Sequence, residues 1–421
     1  MVTAGIIAEY NPFHNGHQFH IEETRRETGA DFVIAVMSGN FVQRGAPALL
    51  DKFTRARMAL EGGADLILEL PAASVLSHAE GFAAGGVCLL ERSGVTDWLS
   101  FGCEDSGEDA LFLQTAKVLA REPAAYRETL AAGLRAGESF PKARERAALS
   151  CLQPASEAER ENIRRFLSRP NNTLGLEYQK AILKYGCRLK TCRVSRRGSG
   201  YHSREVSSPF ASATAIRSLL LAQTHADGTP AAALQSQVPP SVFTQLLAAD
   251  QQHALLREHD FSSLLFYALL KNKDRLDAFH PSGADLAART RRLLEDFTDW
   301  DSFVLLVKSK HQTYTGVSRY FARILLNLDQ EYLQAAARCQ YAPYARVLGF
   351  RQSAAPLLKE LRRKTDIPVL MQPAKADRLL SKDGLRLLQS DLDASELYRH
   401  VLFSRCGRRL RSDFRQPLIV L

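Results

Sequence analysis

Two histidines near the N-terminus have the spacing and the setting for phosphate chemistry. An apolar stretch at residues 5–8 and a turn lead into the tetrad His14-Asn15-Gly16-His17, after which a helical pattern begins. A helix N-terminus offers unpaired N–H groups and the positive end of a dipole, and both attract phosphate. The imidazoles add hydrogen-bond donors, and Gly16 lets a purine lie against the backbone. The sequence therefore predicts a nucleotide site here, with His14 and His17 as its catalytic pair.

The same region does not have the pattern of a zinc site. His14 and His17 lie in a turn, His20 follows one helical turn later, and no Cys or carboxylate comes at ligand spacing. The seven cysteines of the chain are scattered and form no Cys-x-x-Cys pair. We therefore expect no metal ligands in the protein, no bound zinc and no haem. A surface loop without function is the alternative interpretation of the tetrad.

A second candidate phosphate site lies about 200 residues further along the chain. Ser212, Thr214 and Arg217 stand at the start of a helical pattern, with the arginine three residues after the threonine. Hydroxyl groups and backbone N–H groups at such a start can hold phosphates, and an arginine one turn in can reach the same anion. An ordinary helix cap with a surface arginine is the alternative, and the presence of the histidine tetrad favours the nucleotide interpretation.

The first half of the chain alternates apolar runs of strand length with amphipathic helical patterns. Predicted strands cover residues 31–37, 65–70, 97–101 and 189–194, and predicted helices cover 54–61 and 77–92. This alternation indicates an α/β fold with a doubly wound, Rossmann-like parallel sheet. Ligands in such folds bind beyond the carboxyl ends of the strands. Residues of about 106–185 are predicted to be a helical insertion.

The second half is mainly helical in pattern and rich in positive charge. We predict two domains, a nucleotide-binding domain over residues 1–225 and a mainly α-helical region over 226–421. The formal net charge is +9, and the last 71 residues hold 15 Lys or Arg against 8 Asp or Glu. This charge suggests a polyanionic partner, RNA first, although a solvated surface is the alternative. Without a leader pattern or a run long enough to span a bilayer, a cytoplasmic protein with no membrane partner is expected.

Five longer stretches carry a family resemblance. They read IAEYNPFHNGH at residues 7–17, MSGNFVQRG at 37–45, DLILELP at 65–71, PNNTLGLEY at 170–178 and ASATAIR at 211–217. Together they resemble the bacterial tRNA(Met) cytidine acetate ligases of the HxGH nucleotidylyltransferase superfamily, densely over the first 220 residues and more thinly beyond. Ala46 stands where that family has Glu, and Cys103 where Ser is common. Neither change removes a phosphate ligand.

The resemblance implies an enzyme that joins acetate to the exocyclic amine of the wobble cytidine in elongator tRNA(Met). ATP is the cosubstrate, Mg²⁺ accompanies it, acetyl-adenylate is the intermediate and pyrophosphate leaves. No enzyme nucleophile is needed, in agreement with the lack of a convincing Ser or Cys triad. The implied ATP contacts, with Asn171 favoured over Asn172, are Ile7, Ala8, Glu9, Tyr10, Asn11, Pro12, Phe13, His14, Asn15, Gly16, His17, His20, Gly102, Asn171, Arg193, Val194, Ser212, Thr214 and Arg217.

Further residues are assigned to the acceptor substrates. The exit of the second strand carries Ser38, Asn40, Gln43 and Arg44, which we assign to the acetate or cytidine pocket, with a purely structural loop as the alternative. Basic clusters that could contact tRNA backbone and bases contain Lys308, Lys310, Arg319, Arg323, Arg362, Arg363, Arg408 and Arg409. Solvated surface charge is the alternative for each cluster.

Two other functions remain open from the sequence. A small-molecule adenylyltransferase shares both phosphate motifs but is usually a single shorter domain without a basic helical half. A non-catalytic RNA-binding protein with a relic nucleotide fold is the second, and the intact motif residues argue against it. The sequence leaves the oligomeric state open.

Overall fold

A sheet of eight strands organises the protein. The computed structural model describes residues 1–104, 108–195, 210–221, 233–280, 284–310 and 312–421. Its strands are β1 (Thr3–Ala8), β2 (Phe32–Ser38), β3 (Phe41–Val42), β4 (Ala46–Pro47), β5 (Leu66–Leu70), β6 (Trp98–Cys103), β7 (Lys190–Ser195), β8 (Ala345–Phe350), β9 (Val369–Leu370) and β10 (Ile419–Val420). Strands β3 and β4 form a separate hairpin.

Helices surround this sheet. In the first half they are α1 (Asn15–Thr28), α2 (Lys52–Glu61), α3 (Ala72–Val75), α4 (Ala79–Arg92), α5 (Asp109–Arg121), α6 (Ala124–Arg135), α7 (Phe140–Leu152), α8 (Glu157–Ser168), α9 (Pro170–Tyr185) and α10 (Ala213–Leu221). The second half adds α11 (Pro240–Gln251), α12 (Ser262–Lys271), α13 (Ala284–Arg292), α14 (Trp300–Val307), α15 (Tyr314–Leu325), α16 (Gln330–Arg338), α17 (Ala355–Lys364) and α18 (Lys382–Cys406), with short 3₁₀ turns between them.

The strand order places a binding crevice at the carboxyl ends of the parallel strands. The order is β10-β8-β5-β2-β1-β6-β7, with β9 paired to β8. The five strands β5, β2, β1, β6 and β7 are mutually parallel. In chain order these five are arranged 3-2-1-4-5, so the strand order reverses between β1 and β6, where such sheets bind ligands. The predicted doubly wound α/β fold is confirmed.

The sheet is mixed rather than wholly parallel. Strand β8 comes from the second half of the chain and runs antiparallel to β5, with a register shift at Ile67/Leu68. Strands β9 and β10 pair with β8 in parallel. The mainly helical second half thus returns three short strands to the sheet, which the sequence pattern did not predict. The proposed division between residues 1–225 and 226–421 falls at positions outside the described residues and stays a prediction.

Apolar burial explains why these strands form. Residues 33–37 of β2 are fully buried, as are the apolar residues of β5, because helices cover both faces of the sheet. The helices α5 to α9 follow β6 and return the chain to β7, in agreement with the predicted helical insertion, whose first residues lie outside the described ones. In the second half, α15 and α16 are separate helices, with Asn327 at φ 54° between them.

A buried ionic cluster fixes the C-terminal segment behind the sheet. Lys52 Nζ lies 2.7 Å from Glu69 Oε1 and 2.6 Å from Asp413 Oδ2, and it is completely buried. Arg346 on β8 pairs with the same two carboxylates at 3.1 and 2.7 Å. Two cations and two carboxylates balance one another there, so each is stabilised only while the others are in place.

Replacing Lys52 should therefore lower the stability of the folded protein. In Lys52→Met the ammonium is lost and the two buried carboxylates keep only Arg346, so we expect the free energy of unfolding to fall by about 3–5 kcal/mol. Urea denaturation followed by circular dichroism measures the change. Lys359→Met removes a charge from an exposed position on α17 and should leave the unfolding midpoint unchanged. Equal midpoints for the two variants would contradict the role assigned to the cluster.

Candidate active site

The histidine tetrad forms the N-terminus of α1. His14 is the N-cap of this helix, and its Nδ1 accepts a hydrogen bond of 3.0 Å from the backbone N–H of Gly16. A Cβ at Gly16 would lie 2.9 Å from His14 Cε1, so glycine allows the ring to fold back over the helix start. The imidazoles of His14 and His17 stack with centroids 3.7 Å apart. The pair is therefore held as one unit at the positive end of the helix dipole.

Buried aromatic rings support the second histidine. Tyr10 and Phe13 lie in the turn after β1, and their ring centroids are 4.9 and 5.6 Å from that of His17. Both are buried, and Phe13 does not reach the large cavity at this edge of the sheet. Asn15 also points elsewhere, since its Nδ2 donates to the carbonyl of Ser236 at 2.9 Å. Pro12, Phe13 and Asn15, predicted as ATP contacts, thus lie behind the cavity wall.

The second predicted phosphate motif meets the first in space. The Ser212 hydroxyl accepts from the N–H of Ala215 at 3.1 Å at the start of α10. Arg217 Nη2 donates to Thr214 Oγ1 at 3.2 Å, and its Nη1 donates to the carbonyl of Asn11 at 2.7 Å. The arginine therefore joins the two helix starts, although the residues are separated by some 200 positions along the chain.

A glutamine that no sequence motif indicates completes this junction. The backbone carbonyl of Gln237 accepts from the N–H of Asn15 at 3.0 Å, just inside α1. Its side-chain Oε1 accepts from the N–H of Ala211 at 2.8 Å, just before α10. One residue thus bonds to the backbone at both helix starts.

A cavity of about 370 Å³ opens between these helix starts, at the carboxyl ends of β1, β6 and β7. Its volume is in the range of small-molecule sites. Among the predicted ATP contacts it is lined by Ile7, Ala8, Glu9, Tyr10, Asn11, His14, Gly16, His17, His20, Gly102, Asn171, Val194, Ser212, Thr214 and Arg217. His20 is anchored on its floor, because its Nε2 lies 3.0 Å from Ser100 Oγ.

The two neighbouring asparagines and the arginine of β7 have different positions. Asn171 lines the cavity, whereas Asn172 is fully buried and its Oδ1 accepts from the Cys103 thiol at 3.0 Å. Arg193 does not line the cavity. Its guanidinium forms an ion pair with Asp109 and lies 4.8 Å from the ring centroid of Phe112. Arg193 therefore supports the wall from outside, and Asn171 stays the better candidate of its pair.

The loop after β2 divides into a structural half and a cavity-facing half. Ser38 and Asn40 are buried, and Asn40 Oδ1 accepts from the N–H of Lys52 at 2.8 Å. Gln43 and Arg44 in the β3–β4 hairpin line the cavity instead. The N–H of Gln43 donates to Glu9 Oε1 at 2.5 Å, which joins the hairpin to the end of β1. Of the four predicted pocket residues, two therefore face the site.

A second, smaller cavity of about 160 Å³ adjoins the first. It shares Glu9, Asn11, Arg44 and Arg217 with the large cavity, and Glu258, Tyr314 and Thr315 close its far side. Burial raises the pKa of Glu258, so this carboxyl is a better hydrogen-bonding and proton-accepting group near neutrality than a solvated glutamate. The sequence did not indicate Glu258.

The predicted tRNA contacts are spread over several surfaces. Lys310, Arg362, Arg363 and Arg409 are exposed, and Lys308 and Arg408 are partly buried. The end of α17 carries Arg362 and Arg363 and contacts the turn at Gly94 that precedes β6, on the edge of the sheet opposite the cavity. Arg323 is buried, so it cannot be an ordinary surface contact. Which cluster binds RNA stays a prediction.

No group of three or more His, Cys, Asp or Glu side chains among the described residues could hold a metal ion. No helix of the described ranges is both long and apolar enough to cross a bilayer.

The sheet order, the histidine pair and the converging helix starts define a nucleotidyl transferase-like site. The profile of the family described as "HIGH Nucleotidyl Transferase" matches residues 1–413, and the chain belongs to this family, among the tRNA(Met) cytidine acetate ligases. It is 33% identical over 422 residues to the tRNA(Met) cytidine acetate ligase of Thermoanaerobacter sp. (strain X514), and 35% identical over 425 residues to that of Clostridium novyi (strain NT). Both alignments cover 100% of each chain.

Solved structures agree with this assignment. The chain is similar to Thermotoga maritima TmcAL bound with alpha-thio ATP, at 29% sequence identity and a TM-score of 0.89. The apo form of the same Thermotoga protein gives a TM-score of 0.90, and both comparisons cover 100% of each chain.

A glycine in the hairpin offers a direct test of how the site is positioned. Gly45 has φ 80°, and a Cβ there would lie 2.1 Å from the backbone N of Arg319 on α15. We expect Gly45→Ala to lower the free energy of unfolding by about 2–4 kcal/mol, because strain and a backbone clash add. Gly137 has φ 79° with no atom near its Cβ position, so Gly137→Ala reports the conformational cost alone. Equal losses in urea denaturation would show that the hairpin–helix contact is not tight.

Proposed function

We propose that the protein is an ATP-dependent ligase that forms N4-acetylcytidine at the wobble position of elongator tRNA(Met), using acetate. The observation that carries this proposal is the stacked pair His14–His17, which lines one large cavity together with Arg217. Full-length relatives that bear the name tRNA(Met) cytidine acetate ligase support the choice of substrates. A reaction of ATP with tRNA belongs in the cytoplasm.

ATP fits the cavity with its phosphates at the two helix starts. His14, His17, Ser212, Thr214 and Arg217 would hold the triphosphate. The adenosine would lie toward Gly102, Asn171 and Val194 at the ends of β6 and β7, with the backbone of residues 7–10 on one side. Mg²⁺ would arrive with the nucleotide, because phosphate oxygens and water supply most of its ligands and no protein cage is needed.

The first chemical step activates acetate. A carboxylate oxygen attacks the α-phosphorus of ATP, the bond from that phosphorus to the bridging oxygen breaks, and pyrophosphate leaves with the electron pair. Negative charge builds on the phosphoryl oxygens and on the leaving group. His14, His17 and Arg217 are fixed in place before the reaction, so they can stabilise this charge without reorganising.

The second step transfers the acetyl group. The cytosine N4 amine attacks the carbonyl carbon of acetyl-adenylate, the carbon–oxygen bond to AMP breaks, and AMP leaves with the electron pair while the amine loses a proton. The amine is a weak nucleophile, so correct placement provides much of the acceleration. The smaller cavity beside Arg44 and Glu258 is the space we assign to the acceptor side, with Glu258 available to receive the proton. Lys308 and Lys310 precede Tyr314 and Thr315 of this cavity and would meet the tRNA outside it.

Product analysis tests the reaction. Purified protein is incubated with ATP, Mg²⁺, ¹³C-labelled acetate and unmodified elongator tRNA(Met), and the nucleosides are separated by mass spectrometry. We expect labelled N4-acetylcytidine only when ATP and acetate are both present. If pyrophosphate is released without acetate on a panel of phosphorylated metabolites, the protein is a small-molecule adenylyltransferase instead.

Variants of the histidines test the site. Asparagine can keep the N-cap bond that His14 makes to Gly16, because its side-chain oxygen also accepts from backbone N–H groups. We therefore expect His14→Asn to fold normally and to lose roughly 10²–10³-fold in acetate-dependent ATP–pyrophosphate exchange. His17→Asn should show a loss of the same order. His259→Asn, at an exposed position, is the control, and wild-type exchange rates in both site variants would overturn the assignment.

A further inference from the structure

Two arginines of α15, one buried and one partly buried, form no ion pair with any described side chain. Arg319 and Arg323 are one helical turn apart and so lie on the same face of the helix. Arg323 is only 6% exposed, its Nε has no hydrogen-bond partner, and no carboxylate of the described residues lies within ion-pair distance. Arg319 donates to the carbonyl of Gln43 at 3.0 Å and likewise has no ion pair among the described side chains.

The arginines belong to a basic cluster. Arg319, Arg323, His78 and His280 are close enough for their charges to act on one another, and this set is called the basic cluster below. Burial, together with both arginines and His78, lowers the pKa of His280 to about 4. Burial lowers the pKa of each arginine to about 10. The attraction of Glu9 opposes this lowering at Arg319 but is smaller than the effect of burial.

Arg346 shows what this protein does with a buried arginine that has only a structural role. It is 4% exposed, and Glu69 and Asp413 both pair with it. A buried charge without such partners destabilises the folded protein. No described residue supplies the arginines of the basic cluster with a paired carboxylate, so an anion from outside the chain can fill that role.

The position of the cluster restricts which anion can bind. Gln43 accepts from Arg319 and also lines the large cavity, and Ala79, the residue after His78, lines it too. His78 is exposed, so the cluster faces solvent on this side. The anion therefore reaches the cluster from solution while lying beside the reaction site. The triphosphate of ATP is already matched by His14, His17 and Arg217 at the two helix starts.

A phosphodiester of RNA fits these conditions best. The planar fork of a guanidinium binds phosphate through two parallel hydrogen bonds, and phosphate contacts fix the register of a bound polynucleotide. Because a base and its flanking phosphates are covalently joined, holding one phosphate at the cluster places the neighbouring base at the cavity. Free acetate would gain no such placement from a site open to solvent.

We propose that Arg319 and Arg323, with His78 and His280 around them, bind the phosphodiester that flanks the target cytidine and so position its amine for acetyl transfer. This inference rests on the proposed function. It differs from a general surface contact because the arginines are desolvated before the RNA arrives, so their hydrogen bonds to phosphate are stronger than those of exposed lysines.

The test pairs an arginine variant with a neutralised phosphate. Elongator tRNA(Met) is assembled with a methylphosphonate linkage on either side of the target cytidine. We expect one of these linkages to weaken binding to wild-type protein about tenfold or more, because a charged hydrogen-bonded contact is lost. Arg323→Met should weaken binding of unmodified tRNA similarly and lower the slope of log K against log salt by about 0.9. In Arg323→Met the same methylphosphonate linkage should weaken tRNA binding by less than about a further twofold.

Two further arginine variants serve as controls. Arg338→Met removes an exposed arginine of α16 and should leave tRNA affinity and the linkage effect at wild-type values. Arg323→Lys keeps the charge without the fork and should fall between wild type and Arg323→Met. Additive effects of the linkage and the variant would overturn the proposal, as would a raised KM for acetate in ATP–pyrophosphate exchange with unchanged tRNA affinity.

A second variant and a product assay keep the outcome interpretable. If Arg323→Met does not fold, Arg319→Met repeats the pairing, and the methylphosphonate series on wild-type protein still decides, because no loss at either linkage excludes a phosphate contact there. Wild-type protein that makes no N4-acetylcytidine on unmodified tRNA would refute the proposed function. Normal product with no linkage effect would refute only this inference.

Discussion

The buried guanidinium of Arg55 holds together the strand ends on which the site is built. It donates to the carbonyls of Leu50 at 2.9 Å, Glu9 at 2.6 Å and Ser38 at 3.2 Å, and also to that of Gly39. Three of these carbonyls lie at or just after the ends of β1 and β2, and that of Leu50 lies just before α2. A fully buried cation is tolerated there because several carbonyl dipoles converge on it. The turn of the histidines and the hairpin of Gln43 both start from these fixed points.

The C-terminal segment supports the same region from the other side. Glu69 lies at the end of β5, next to the loop after β2, and its partners Lys52, Arg346 and Asp413 come from three distant parts of the chain. Tyr398 of α18 adds a hydrogen bond of 2.9 Å to the carbonyl of Ala48. The catalytic edge of the sheet is thus braced by residues that never reach the cavity.

Local patterns in the sequence were enough to predict the parts of the site that are local. The strands β1, β2 and β5 are mainly apolar runs, and the tetrad and the motif at Ser212 each lie at a single helix start. Strands β9 and β10 are two residues long, and β8 contains Arg346, so nothing in their pattern separated them from loops. Their strand character depends on pairing across the chain.

Residue roles that depend on distant contacts were harder to infer. Ser38 and Asn40 are polar and follow a strand, as pocket residues often do, yet the chain folds back at Lys52 and encloses them. Arg323 has the sequence context of a surface arginine on an amphipathic helix. Only the packing of the hairpin and His280 against α15 shows that it is buried. Gln237 and Arg55 bond mainly to backbone groups. Because any residue type can supply a backbone group, the sequence does not reveal these contacts.

Helix α15 carries residues of the smaller cavity and of the basic cluster on one rigid rod. Thr315 and Arg323 are eight residues apart, which corresponds to roughly 12 Å along the helix axis. One inserted or deleted residue between Thr315 and Arg319 would rotate both arginines by about 100° relative to Thr315 and turn them away from the hairpin. Surface loops can change in length without moving these sites, but the length of α15 sets the distance between the smaller cavity and the basic cluster.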